Sequence, residues 1–159
     1  MSSDIRLFWN NKIGEGDIQF LNGDFVTGKE LETAVLLSIF TDARVQDFKE
    51  GDKSGWWGDL LQIVEDENVH ITGSKIWSVR RQKITQHIIN LIKAYCYESL
   101  SWISDEGIAS EINIDVNIDS VSNATEKIVV LNIQLVKSER DILNIVLEDM
   151  WDAQVFSEE

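Results

Sequence analysis

Between Lys83 and Ser104, apolar side chains return every three or four residues, at Ile84, Ile88, Leu91, Ile92, Tyr95, Trp102 and Ile103, with the small Ser99 in the same series. That period is one face of an α-helix, and at 1.5 Å per residue it predicts a helix over 83–104 roughly 30 Å long. Ile89, Cys96 and Leu100 form a second apolar row beside the first, so the helix should touch two neighbours. Gln86, Asn90, Lys93, Tyr97 and Ser101 mark its wet side, and Gly107 supplies a stop. The period then changes to two. Ile112, Ile114, Val116 and Ile118 alternate with Glu111, Asn113, Asp115, Asn117 and Asp119, which predicts a half-buried strand. Lys127–Val136 repeats the pattern through Val129, Leu131, Ile133 and Leu135. Leu143, Ile145 and Leu147 favour a third antiparallel strand over 142–148, with a helix as the open alternative.

Upstream, Ile5–Trp9 reads as a strand, and Asn22-Gly23 between apolar flanks signals a hairpin. Thr27-Gly28-Lys29-Glu30 has the spacing of a capping box and should open a helix over 29–42. The segment 43–82 has little periodicity and is rich in Trp and Gly; within it, Leu60–Val64 suggests a short helical turn and Glu65-Asp66-Glu67 a solvated run. Loops of this length in small domains tend to be functional. The whole predicts one α+β domain over 1–159, with two main helices packed on a largely antiparallel sheet that ends in a three-stranded meander. Its parts are N-terminal strands and a hairpin (1–28), a helix (29–42), the Trp/Gly-rich loop (43–82), the long helix (83–104) and the C-terminal strands (108–148).

Composition narrows the function. A 43% hydrophobic content with six tryptophans describes a globular chain. A net charge of −14 argues against nucleic-acid binding. Polar residues interrupt the long helix too often for a membrane span. Met1-Ser2-Ser3-Asp4 does not read as a signal peptide, and a single cysteine, Cys96, gives no disulfide framework. The charge is uneven. Residues 73–93 carry five basic side chains, Lys75, Arg80, Arg81, Lys83 and Lys93, and no acid. Such an island either docks a partner or neutralises neighbouring carboxylates. Basic residues at a helix N-terminus oppose its dipole at a cost of about a few tenths of a kcal/mol each, which points to an acidic neighbour or partner.

Candidate chemistry is sparse. His70 and His87 lack a motif, and Cys96 has no nucleophile signature. Asp115 and Asp119 share a strand face without cation-loop spacing and serve to keep that face wet. None of the 28 acids stands out as half of a glycosidase pair. No catalytic residue, cofactor site or metal site is assigned. The adjacent Trp56 and Trp57 are different, because Trp is enriched at interface hot spots. On an extended backbone they would point opposite ways, one toward the core and one toward a partner; the open alternative is that both cap the core as a loop lid.

Several motifs follow in a fixed order. They are Leu31-Glu32-Thr33-Ala34-Val35, Phe40-Thr41-Asp42-Ala43-Arg44, Gly55-Trp56-Trp57-Gly58-Asp59, Gly73-Ser74-Lys75-Ile76-Trp77, then Arg81 and Lys83, then Glu98-Ser99-Leu100-Ser101-Trp102-Ile103. The series resembles the small tail protein of Mu-like contractile phages, a baseplate component, most densely from Asp17 to Ile103. That family is similar to the baseplate wedge protein of T-even phages that starts sheath assembly. The resemblance implies a structural, non-enzymatic virion protein of the tail baseplate, assembled in the host bacterial cytoplasm. It implies six copies per tail, set around the tail hub, with the larger wedge proteins, the hub and the sheath as partners. It implies neither nucleic acid nor membrane. Trp56, Trp57, Trp77, Arg81 and Lys83 are the expected docking surface, or the shell beneath it. The alternative is a peptidoglycan-degrading, lysozyme-like enzyme of the tail tip.

Overall fold

A computed structural model describes residues 4–45, 55–59, 70–120 and 127–151. Strand β1 (Leu7–Asn10) pairs antiparallel with β2 (Glu15–Ile18), and β3 (Phe20–Leu21) pairs with β4 (Asp24–Phe25). The second hairpin turns on Asn22 (φ 53°) and Gly23 (φ 83°), and successive left-handed residues are what a two-residue type I′ turn requires. The two ribbons meet in a three-way junction. Arg6 N–H donates to Val26 O (2.8 Å), Val26 N–H to Gln19 O (2.9 Å), and Gln19 N–H to Arg6 O (3.4 Å).

Helix α1 runs Glu30–Phe40. The capping box is not used. Thr27 bridges Ile5, and Gly28 N–H donates to Asp4 O (3.2 Å), so this segment is held extended. The helix starts beyond it, after Lys29, whose left-handed backbone (φ 57°) precedes the first turn without a side-chain cap. Glu30 and Glu32 in that turn suit the positive end of the helix dipole. A 3-10 turn follows at Ile76–Ser78.

The long helix, α2, is Gln86–Asp105. Thr85 caps it by accepting from Ile88 N–H (3.3 Å). It therefore begins three residues later than the apolar period implies, and Arg81 and Lys83 precede it. The dipole cost attributed to them does not arise. At the far end Gly107 (φ 70°) closes the helix: Ile108 N–H donates to Ile103 O (2.9 Å) and Gly107 N–H to Ser104 O (3.0 Å), the Schellman pattern.

Strands β5 (Glu111–Ser120), β6 (Lys127–Ser138) and β7 (Asp141–Trp151) form an antiparallel sheet in that order, so 142–148 is strand. The fold is α+β as expected, and among the described residues its strands divide into three antiparallel sheets. One apolar core joins Val35 and Ile39 of α1 and Ile88, Ile92, Cys96, Leu100 and Ile103 of α2 to Ile114, Val129, Leu131, Ile133, Leu135 and Leu147 of the large sheet. Helix α2 meets both β5 and α1, the two neighbours its double apolar row demanded. The Trp102 indole N–H donates to Ser38 Oγ (3.1 Å) between the helices. Trp9 stacks on Phe40 with ring centroids 3.8 Å apart and donates to Glu148 O (2.8 Å), joining the first ribbon to α1 and β7. The short helical turn expected at Leu60–Val64 and the solvated run at Glu65–Glu67 lie outside the described residues.

Candidate protein-interaction site

The Trp/Gly-rich segment is held by a knot of backbone bonds around residues 41–44. Ser74 N–H donates to Thr41 O and Ala43 N–H to Ser74 O, both at 2.9 Å, within a parallel bridge of Asp42 and Ser74. Gly73 makes this approach possible. Its φ is 98°, and a Cβ there would stand 2.3 Å from Thr41 O. The buried Ser74 hydroxyl donates to Ile39 O (2.7 Å), and Trp77 Nε1 donates to Ala43 O (2.8 Å). Gly55 joins the same knot, since a Cβ on it would come within 2.8 Å of Arg44 Cβ.

On this frame stand Trp56 and Trp57. Residues 57–59 are helical rather than extended, so the two indoles do not part to opposite sides. Their centroids lie 5.7 Å apart, tilted by 48°. Trp56 is 41% exposed and Trp57 69% exposed. Trp56 lies over Gly58, where a Cβ would sit 2.3 Å from the indole. Below them Asp59 is only 3% exposed, and its Oδ2 accepts from Thr72 N–H (3.1 Å). Its Oδ1 has no hydrogen-bond partner among the described residues. Asp59 and Gly73 were not singled out from sequence. Their partners, Thr72 and Thr41, are 13 and 32 positions away, and only the motif itself could have flagged them.

The cationic island divides. Lys75 pairs with Glu98 (2.6 Å) and Lys93 with Asp115 (3.5 Å), which is the neutralising role. Arg81 and Lys83 are exposed and form no salt bridge among the described residues. Trp77 is half-buried and braces the loop frame from beneath, whereas Trp56, Trp57, Arg81 and Lys83 present their side chains to solvent.

A cleft of about 200 Å³ lies between the 70–75 segment and α2, lined by His70, Lys75, Tyr95 and Glu98 among others. Its carboxylate, Glu98, is already paired with Lys75. Among the described residues, no three His, Cys, Asp or Glu side chains are grouped to hold a metal ion. The thiol of Cys96 is fully buried, and desolvation pushes it up to about 12, so it remains protonated and unreactive at neutral pH.

Fold and site together describe an α+β protein with an exposed tryptophan pair on a braced loop. The profile of a family described as phage protein GP46 matches residues 31–141, and the chain belongs to that family. It is 34% identical over 112 residues to the Mu-like prophage FluMu protein gp46 of Haemophilus influenzae, covering 70% of this chain and 74% of that one. It is also 34% identical over 117 residues to the baseplate protein gp46 of Escherichia phage Mu, covering 70% and 75%. The Mu-like family expected from the motifs is the family found.

Proposed function

We propose that the chain is a structural subunit of the baseplate wedge of a contractile phage tail, or of a phage-derived tail, that binds larger wedge proteins and helps initiate the sheath. Membership of the Mu gp46 family supports the baseplate part of this reading. The observation that carries the rest is the exposed Trp56–Trp57 pair on its backbone knot, together with Arg81 and Lys83, which form no salt bridge among the described residues. Large aromatic surface held in place before binding costs little entropy on contact, and basic groups steer an acidic partner.

The sheet edges support the sheath contact. On β7, Asn11 takes up Glu148 N–H (3.1 Å) and Val146 O (3.4 Å), and Trp9 takes Glu148 O, so that stretch of edge is closed. On β5 Ile114 N–H points away from β6 and donates to Tyr97 Oη (3.1 Å). By strand alternation the backbone groups of Ile112, Val116 and Ile118 face the same open side. An added strand would find its main-chain bonds there. The acids at Glu111 and Asp119 would favour basic residues on that strand.

In this reading the subunit acts without chemistry of its own, in six copies around the tail hub, within the virion baseplate, after assembly in the host cytoplasm. The test is capture of the cognate large wedge protein by purified chain. Trp57→Ala and Arg81→Glu should each weaken capture about tenfold or more, as hot-spot truncations do. Undiminished capture by both variants would reject this site. A carboxylate-dependent clearing band on a peptidoglycan gel would replace the structural reading with an enzymatic one.

A further inference from the structure

The β3–β4 hairpin is a second surface, separate from the tryptophan loop. Among the described residues its two-residue strands pair only with each other, and all of residues 20–25 are exposed. Yet it carries Phe20, Leu21 and Phe25, exposed by 58%, 61% and 48%. The two phenylalanine rings meet edge to face across the strands, with centroids 4.8 Å apart. They lean on each other and remain half open to solvent, which is costly for an isolated chain in water.

The charge carried by this stretch is acidic, although Arg6 stands at its base with its guanidinium donating to Gln19 Oε1 (2.9 Å). Residues 13–28 hold Glu15, Asp17 and Asp24 and no Lys or Arg. None of the three carboxylates forms a salt bridge among the described residues. An acidic stretch bearing an apolar tip disfavours an anionic lipid surface, and a second copy of a chain with net charge −14. It complements an apolar recess edged by lysine or arginine. The hairpin also lies outside residues 31–141, the segment matched to the family.

We propose that the β3–β4 hairpin is a plug that inserts Phe20, Leu21 and Phe25 into an apolar, basic-rimmed recess of a different protein in the same particle. The proposal uses the baseplate reading only to choose the particle. In the experiment, tails are purified from cells carrying either the wild-type chain or the chain with Phe20 replaced by benzoylphenylalanine. Illumination should link position 20 to one other baseplate protein, at a peptide with Lys or Arg beside apolar residues. Phe20→Ser/Leu21→Ser/Phe25→Ser should lower incorporation into tails by about tenfold or more. Asp17→Lys/Asp24→Lys, which leaves the apolar tip intact, should lower it in the same direction. The circular dichroism of both variants should match wild type, because these side chains lie outside the core.

Cross-links confined to a second copy overturn the proposal, as does binding of the wild-type chain to phosphatidylglycerol vesicles that is lost in the triple variant. Equal incorporation of wild type and both variants also overturns it. If the wild-type chain is missing from purified tails, the baseplate reading falls and this proposal falls with it.

Discussion

Gly73 shows how one missing side chain holds a loop in place. Its left-handed φ and the 2.3 Å approach to Thr41 O leave no room for Cβ, and the obstacle is backbone that cannot swing away. Gly73→Ala should therefore cost about 3 kcal/mol or more, combining backbone strain with loss of the 41–44 knot. Urea unfolding measures this, and a loss within experimental scatter would contradict it. Cys96 offers a pH test. Between its ordinary value of 9.0 and about 12, the folded chain keeps the thiol proton while the unfolded chain releases it. The unfolded state then binds fewer protons, so stability falls with rising pH, by up to about 1.4 kcal/mol per unit, and is unaffected well below pH 9. From pH 8 to pH 10, wild type should lose about 1 kcal/mol more than Cys96→Ala, which lacks the titrating group. Parallel curves would refute the burial argument. At this scale the sequence is partly readable. Trp56 and Trp57 announce themselves by type, but the purposes of Gly73, Ser74 and Trp77 depend on Thr41, Ile39 and Ala43, and no local pattern carries that pairing.

At the scale of elements, periodicity carried most of the information. The alternation of Ile112 to Ile118, and of Val129 to Leu135, placed the correct faces inward because a half-buried strand imposes a period of two. The starts of the helices were harder. Thr27 matched a cap but was drawn into pairing with Ile5, while Thr85, which does cap α2, sits inside a basic stretch that hid it. Tertiary pairing decided between two similar signals. The edges of the sheet were not readable at all, since they depend on which side chains reach them. Tyr97 is an example: it stands on the wet side of α2, and its hydroxyl accepts the Ile114 N–H at the β5 edge. Tyr97→Phe removes that acceptor and should cost about 1 kcal/mol in thermal or denaturant unfolding. It should also speed exchange of the Ile114 amide, and an unchanged rate at that amide would show that the hydroxyl is not its guard.

For the whole molecule, burial and pairing predict an order of opening. Strand β6 is bonded on both sides, and Val129, Leu131, Ile133 and Leu135 are almost fully buried in the one core. Amides there can exchange only when the core itself opens, so their protection should approach the global stability. The β3–β4 hairpin is at the other extreme, with two-residue strands, every residue exposed, and attachment through the junction of Arg6, Gln19 and Val26. Its amides should exchange on the order of a thousandfold faster than those of β6, because local fraying costs little where global unfolding costs several kcal/mol. Hydrogen exchange on the free chain, followed by mass spectrometry, measures both. Slow exchange at residues 20–25 in isolation would mean that the hairpin is already supported from within, and the case for an external recess would lose its basis. Fast exchange in the free chain that slows in assembled tails, while β6 stays unchanged, would place the ordering step at assembly. Burial of the two phenylalanines would then begin only when a neighbour arrives, so that a stable core and an unfinished surface coexist in one small chain.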